Sequence, residues 1–196
     1  MKTENVVLMK MASESLKGKW GLAIGTFVVY FMIVGAIQVI PVAGPIISLF
    51  IAGPMAVGAA IFSLSIARNQ ETRLEYIFQG FKNYGTILGA YLLMIVFVVL
   101  WTLLLIIPGI IAGLSYAMTF YILADDNTIG AMEAIDKSKK MMDGYKWKYF
   151  CLCLRFLAWA LLCLLTLGVG FLWLIPYMQV SAANFYEDVK ANQLTT

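Results

Sequence analysis

Long apolar runs separated by short breaks dominate the chain. Six of these runs are predicted helices, at 21–40, 46–67, 86–107, 110–124, about 149–167 and 171 to about 186. A helix needs about 20 mostly apolar residues to cross the hydrocarbon core of a bilayer, and the fourth run is short by that measure. The pattern therefore predicts an all-α protein with six transmembrane helices.

Turn-forming residues divide these helices into pairs. Proline and glycine mark the breaks at 41–45, 108–109 and 168–170, and both residue types interrupt helices. Because each break has room only for a tight turn, we expect a membrane helical bundle built of three hairpins. Pro54 and Pro176 lie inside runs, where a proline removes a backbone hydrogen bond, and they predict kinks.

Amphipathic segments precede the hairpins. Within 74–81 the apolar residues recur at i, i+3, i+4 and i+7, and 129–143 has a broad apolar face opposite a charged one. Acidic residues come early and lysines late in 129–143, as the helix dipole favours. A weaker apolar stripe covers 9–20. We expect the two stronger segments to be helices that lie flat on the cytoplasmic face of the membrane.

The chain reads as three copies of one unit within a single membrane domain, 1–196. The copies are about 10–70, 71–128 and 129–190. The aromatic residues that open the hairpins are almost evenly spaced; they are Trp20, Tyr84 and Trp147. Glycines four residues apart have the spacing that lets helices approach closely. These glycines are Gly21 and Gly25, Gly85 and Gly89, and Gly109 and Gly113.

The composition favours a membrane location. Hydrophobic residues make up 62% of the 196 residues and charged residues only 13%, with a mean hydropathy of +0.85. A soluble domain has about 45–50% apolar and about 25% charged residues, so this chain has too few polar groups to cover a surface in water. The same composition excludes a disordered chain and a secreted disulfide scaffold.

The placement of charge predicts an orientation. The 14 Lys and Arg residues lie near the N-terminus, in 68–85, in 125–148 and after 186, with Arg155 as the exception. The three predicted turns carry no charge. Since positive charge in short loops marks the cytoplasmic side, we expect a multi-pass protein of the cell membrane with cytoplasmic N- and C-termini.

Basic and aromatic residues around the hairpin starts are candidate contacts with lipid or another interface. Aromatic rings beside lysines suit the headgroup layer, and each surface lysine gains about 1 kcal/mol from anionic lipid. The candidates are Lys17, Lys19, Trp20, Lys82, Tyr84, Lys137, Lys140, Lys146, Trp147 and Lys148. The expected partner is the anionic inner leaflet, with other membrane proteins or self-association as alternatives. The basic residues are too few for a nucleic-acid surface.

Polar residues inside the runs form a second set of candidates. Arg155 is the one charge within a predicted span, and it is interpreted either as a ligand contact or as a side chain that reaches back to the headgroups. Ser115, Thr119, Gln179 and Asn184 lie in the fourth and sixth runs. They either line a small polar cavity or form hydrogen bonds between helices.

Catalytic chemistry has little support in the chain. There is no histidine, and the three cysteines, Cys151, Cys153 and Cys163, lie in one apolar run. We therefore predict no catalytic residue, no cofactor and no resident metal. Two acidic pairs, at 125–126 and 187–188, end the fourth and sixth runs. They are either a cation site at the inner face or solvated helix ends.

Several motifs in order resemble one family of bacterial integral membrane proteins, DUF975, a domain of unknown function. The motifs are SLKGKWG at 15–21, IPGII at 107–111 with SY at 115–116, SKKMMDGYKW at 138–147, LTLGVG at 165–170, IPY at 175–177 and FY at 185–186. The family is similar, more distantly, to membrane domains attached to some glycerophosphodiester phosphodiesterases. The resemblance implies the fold and the membrane location, and it brings no catalytic residues.

Two functions remain after these observations. The first is a non-enzymatic membrane protein that acts by interaction with lipid, with a membrane protein or with a membrane-active peptide, as an immunity protein does. The alternative is a small-solute transporter or channel, because repeats and interrupted helices often mark transport sites. A membrane enzyme is the weakest hypothesis, since only the acidic pairs offer reactive groups.

Overall fold

A computed structural model describes residues 3–194, and all regular structure in that range is helical. The helices in order are α1 Asn5–Ser15, α2 Trp20–Gln38, α3 Ala43–Ala67, a 3₁₀ helix Leu74–Phe81, α4 Tyr84–Leu104, α5 Ile106–Tyr116, α6 Thr119–Asp125, α7 Ala131–Met141, α8 Lys146–Leu165 and α9 Phe171–Leu194. The prediction of an all-α chain is confirmed.

Five helical stretches among the described residues are long and apolar enough to cross a membrane. They are Trp20–Gln38, Ala43–Ala67, Tyr84–Leu104, Ile106–Asp125 and Lys146–Leu165. They match the first five predicted runs and indicate a multi-pass membrane protein. The sixth run is the first part of α9, whose later residues, including Gln179, Asn184 and Glu187, make it more polar than the other five.

The break between the third and fourth runs lies earlier than predicted. The chain turns at Leu105, where the backbone is extended (φ −162°, ψ 144°), and Pro108 belongs to the first turn of α5. Proline is tolerated there because the first backbone N–H groups of a helix have no partner within it. The fourth run is consequently longer than expected, and it divides near Met118 into α5 and α6.

The long helices differ in how much of their surface is covered by other helices. In the most apolar part of each helix, the share of buried residues is 50% in α3 and 50% in Ile106–Asp125. It is 17% in α2 and 11% in both α4 and α8. Helix α3 contacts α2, α4, α6 and α9. Along α9, residues such as Val180, Ala183 and Phe185 are fully buried. The centre of the bundle is therefore built from α3, α6 and α9, with α2, α4 and α8 around it.

The amphipathic segments are helical as predicted, and protein covers part of their apolar faces. Helix α1 packs on α9, the 3₁₀ helix on α3, and α7 on α4, α5 and α6. The buried apolar residues are Leu8 and Ala12 in α1, Ile77 in the 3₁₀ helix, and Ala134, Ile135 and Met141 in α7. Phe78 and Phe81 of the 3₁₀ helix and Met132 of α7 stay exposed, at 42%, 38% and 50%, so the bundle takes up one part of these faces and leaves another part free.

The 3₁₀ helix approaches α3 as closely as two backbones can. A Cβ atom on Gly58 would lie 1.8 Å from the carbonyl oxygen of Ile77, and one on Gly80 would lie 1.9 Å from that of Pro54. Residue numbers rise along the 3₁₀ helix while they fall along α3, so the segment runs back along α3. Only glycine fits at both contacts.

The glycine spacing predicts close contacts poorly. A Cβ atom on Gly21, Gly25, Gly85 or Gly113 would meet nothing within 4 Å, and one on Gly89 would make an ordinary contact with Ala131 at 3.6 Å. The prediction is right only for Gly109, whose Cβ would lie 2.9 Å from the Cα atom of Thr102. The remaining glycines of the three pairs have open space or an ordinary contact beside them, so a small residue is not required there.

Exposed apolar side chains concentrate in three apolar tips, defined here as 39–50, 99–111 and 161–173. Leu103 is 78% exposed and Leu167 is 97% exposed, and most other large apolar side chains in the tips are exposed as well. Soluble monomers rarely expose contiguous apolar surface on this scale. The tips therefore lack the polar cover of a surface in water, in agreement with the five apolar stretches.

Candidate functional site

An ionic cluster of five residues joins the ends of α3, α6 and α9. The Arg68 guanidinium, directly after α3, donates to Asp125 and to Glu187, both at 2.6 Å. The second oxygen of Asp125 accepts hydrogen bonds from Lys190 and, at 3.0 Å, from the Tyr186 hydroxyl. Both oxygens of Asp125 are thus occupied, and one arginine connects all three central helices.

Electrostatics favour the charged form of the arginine in this cluster. Partial burial lowers the pKa of Arg68, but hydrogen bonds to Asp125 and Glu187 and their negative charges raise it further than burial lowers it. The net pKa lies above the usual value of arginine. The guanidinium fork suits this position because it presents several donors in fixed directions and so reaches two carboxylates at once.

The sequence contained a signal for this cluster. Arg68 is the first charged residue after the second apolar run, as Asp125 is after the fourth and Glu187 after the sixth. Of these three residues, only the two acidic ones are candidates from the sequence alone. The second residue of each acidic pair also has a partner in the structure. Asp188 forms an ion pair with Lys148, and Asp126 accepts hydrogen bonds from Thr128.

A cation site at the acidic pairs has no support in this geometry. Hydrogen bonds from the hydroxyl and the backbone N–H of Thr128 hold the pKa of Asp126 below its usual range, so this carboxylate caps its own loop. Within residues 3–194, no three or more His, Cys, Asp or Glu side chains come together in a way that suits a metal ion.

Lys148 was predicted to contact lipid, and the structure places it in a buried ion pair instead. Its Nζ atom lies 2.6 Å from Asp188, and the two side chains are only 14% and 10% exposed. The Thr3 hydroxyl also donates to Asp188, and the Asn5 amide donates to the Lys148 carbonyl at 2.8 Å. The pair therefore ties the starts of α1 and α8 to α9.

The other predicted lipid contacts divide into exposed and engaged residues. Four exposed lysines, Lys17, Lys82, Lys137 and Lys140, are called the lysine surface below. Trp147 is 73% and Tyr84 38% exposed, and Lys146 is half-buried. Lys19 donates to the carbonyl of Gln70 at 3.0 Å, and Trp20 packs against the buried cluster around Leu16 and Phe62.

A central cavity of about 460 Å³ lies among α2, α3, α6, α8 and α9. Its aromatic lining is Phe27, Tyr30, Phe31, Phe120, Tyr121, Tyr149 and Phe156. Gln179 also lines it, and the Tyr121 hydroxyl donates to the carbonyl and amide oxygens of Gln179 at 3.3 Å. The cavity lining among the described residues contains no charged side chain, so it suits an apolar or weakly polar occupant.

The structure does not gather the predicted intramembrane polar residues at one place. Gln179 lines the central cavity, whereas Ser115 donates to the Ile111 carbonyl at 2.7 Å. Thr119 and Asn184 are buried, and within residues 3–194 the Thr119 hydroxyl and the Asn184 amide nitrogen have no hydrogen-bond partner.

Arg155 is exposed and lies apart from these residues. It lines a second cavity of about 460 Å³ together with Trp147, Lys148 and residues 3–6. Among the described residues it forms no ion pair or hydrogen bond. The position beside Trp147 and the N-terminal segment agrees with a side chain that extends toward the headgroup layer.

The profile of the family described as protein of unknown function (DUF975) matches residues 1–109 and again 102–193. The chain belongs to the DUF975 family. The resemblance inferred from the motifs is thereby confirmed over nearly the whole chain. The same family profile matches two successive segments of the chain. This double match partly supports an internal repeat. No curated protein and no solved structure matches the chain.

Proposed function

We propose that this DUF975 protein is a non-enzymatic six-span membrane protein that acts by interaction at the anionic inner leaflet. Its partners are lipid, another membrane protein or a membrane-active peptide in an immunity-like role. The observation that carries this proposal is the orientation of the amphipathic segments. Their apolar faces pack in part on the bundle, and the lysine surface beside them is directed outward.

The proposed topology has six spans with both termini in the cytoplasm. It is supported by the charge distribution, since the apolar tips around 42, 105 and 169 carry no charged residue. Helix α9 serves as the sixth span up to the ionic cluster. The ends of α3, α6 and α9 that meet in this cluster then belong to the cytoplasmic side.

The threefold repeat is part of the same proposal. The 3₁₀ helix opens the second copy and packs on α3 of the first, and α7 opens the third copy and packs on α5 and α6 of the second. Helix α1 opens the first copy and packs on α9 of the third. Each copy thus contacts the preceding one in a closed cycle, as expected of three related units.

Selectivity for spin-labelled lipid tests the interaction proposal. In bilayers, labelled phosphatidylglycerol should associate with the protein more strongly than labelled phosphatidylcholine. The variant K17Q/K82Q/K137Q/K140Q should show a lower preference, because each lysine contributes about 1 kcal/mol near an anionic surface. The matched K17R/K82R/K137R/K140R variant keeps the charges and should keep the preference. Equal association of both lipids with the unaltered protein would refute the proposal.

Transport is a second candidate, and the central cavity is the observation that favours it. A cavity of about 460 Å³ among five helices has the size of a small-molecule site. Flux of small solutes into proteoliposomes should then exceed that of protein-free vesicles and fall in Gln179→Ala. A flux equal to that of protein-free vesicles for every solute tried would dismiss transport.

A further inference from the structure

A groove where α4, α5, α7 and α8 meet brings two lysines onto an otherwise apolar surface. We call it the lysine groove; it has a volume of about 210 Å³ and includes Lys139, Lys146, Trp101, Ile111 and Tyr116 in its lining. Lys139 is exposed in the last turn of α7, and Lys146 begins α8. The two cations therefore come from separate helices to one groove.

The positive charge in this groove is not balanced by the protein. Lys139 and Lys146 form no ion pair or hydrogen bond among residues 3–194, and no carboxylate of that range lines the groove. The Ser115 hydroxyl in the lining already donates to the Ile111 carbonyl at 2.7 Å. Both lysines are accessible at the groove, and no carboxylate in its lining competes for them, so the groove suits an anion.

The apolar part of the lining restricts which anion fits. Trp101 and Ile111 belong to an apolar tip, and each is 47% exposed. A small soluble anion leaves these side chains uncovered, whereas a phospholipid carries its charge at one end and apolar chains at the other. Charge and apolar surface thus point to one molecule.

We propose that the lysine groove is a specific site for an anionic phospholipid. Lys139 and Lys146 bind the phosphate, and an acyl chain lies along Trp101 and Ile111. The inference rests on the proposed interaction with anionic lipid and deepens it, because it replaces a diffuse attraction by one site with named residues.

Quenching of Trp101 fluorescence by brominated lipid tests the site. The other tryptophans, Trp20, Trp147, Trp159 and Trp173, are replaced by phenylalanine, and the full chain is placed in phosphatidylcholine nanodiscs. A small fraction of brominated phosphatidylglycerol should quench Trp101 more than the same fraction of brominated phosphatidylcholine. The variant K139Q/K146Q should reduce that preference at least about tenfold, since two lysines act on one phosphate.

Helix α7 offers a matched control. Lys137 and Lys140 lie on the same helix and are exposed, but they do not line the groove. The variant K137Q/K140Q removes the same charge from the lysine surface, and it should lower the preference at Trp101 far less than K139Q/K146Q does. Mass spectrometry of the otherwise unaltered protein released from these membranes provides a second readout, in case the tryptophan replacements impair folding. The spectra should show phosphatidylglycerol retained by the protein. The variant K139Q/K146Q should lose this lipid, whereas K137Q/K140Q should keep it.

Failure of the site and failure of the proposed function give different results. If both double variants reduce the preference equally, the lysines act as a diffuse surface, and the specific site is refuted while the proposed function stands. If both brominated lipids quench Trp101 equally and the protein without lysine substitutions retains both lipids equally, the site is refuted. If the spin-label measurement also shows no preference, the proposed function fails with it.

Discussion

The packed base of the molecule and its apolar tips both contain large aliphatic side chains, but these have opposite surroundings. We define the base as 57–66, 118–123 and 180–189, which belong to the three central helices. Leu123 in the base is 1% exposed, whereas Leu103 in a tip is 78% exposed. The same residue type is therefore covered by protein at one end and left for lipid at the other. The comparison teaches that apolar character alone does not locate the core of a membrane protein.

The direct test of this comparison is one substitution at each end. Leu123→Ala removes buried methyl groups and should lower the free energy of unfolding by about 3 kcal/mol. Leu103→Ala should change it by less than about 0.5 kcal/mol, because no protein side chain packs over it. Thermal unfolding in detergent measures both. Equal losses would mean that the tips pack against protein and that the comparison is wrong.

A second test addresses how the base is closed by the 3₁₀ helix. Gly58→Ala places a Cβ atom 1.8 Å from the Ile77 carbonyl oxygen, so the two backbones must separate. We expect a loss of about 2–3 kcal/mol by the same measurement. Gly25→Ala, where a Cβ meets nothing within 4 Å, should be neutral or slightly stabilising because alanine favours helix. A neutral Gly58→Ala would contradict the close approach.

The buried ion pair provides a smaller effect. Lys148→Met leaves Asp188 without its cation in a site where both side chains are nearly buried, and we expect a loss of about 2 kcal/mol. The double variant Lys148→Met/Asp188→Leu should recover part of that loss, since it leaves no unpaired charge. Additive effects in this double-mutant cycle would show that the two residues do not interact.

The ionic cluster should give the smallest of these losses. Arg68→Gln removes the cation that Asp125 and Glu187 share, and we expect about 1 kcal/mol because the site is partly exposed to solvent. Arg73→Gln breaks an ion pair with Glu71 whose side chains are 61% and 73% exposed, and it should have no measurable effect. Similar unfolding temperatures for both variants would show that the cluster contributes no stability.

Parts of the fold could be predicted because their causes are local. An apolar run of sufficient length becomes a helix in a membrane whatever its neighbours are, since its backbone must satisfy its own hydrogen bonds. The helices α2, α3, α4 and α8 therefore agree with the runs to within a few residues. The predicted break at 108–109 is wrong because a proline is compatible with the first turn of a helix as well as with a helix end, and Pro108 lies in the first turn of α5.

The candidate site was harder to predict because its contacts join distant parts of the chain. Lys148 has the pattern of a residue at the headgroup layer, yet Asp188, far along the sequence, binds it. Lys139 was not a candidate, and its place beside Trp101 depends on how α7 docks on α4 and α5. No local pattern indicates such pairings.

By itself, the amino-acid sequence determined that this is a helical membrane protein, because apolar runs and the separation of charge act along the chain. The tertiary structure decided which helices are central, which glycines touch a neighbouring backbone and which lysines are left exposed. Those choices depend on which helix faces meet, and leucine, isoleucine and valine occur both on faces that pack against protein and on faces that stay exposed. Only the packed structure distinguishes them.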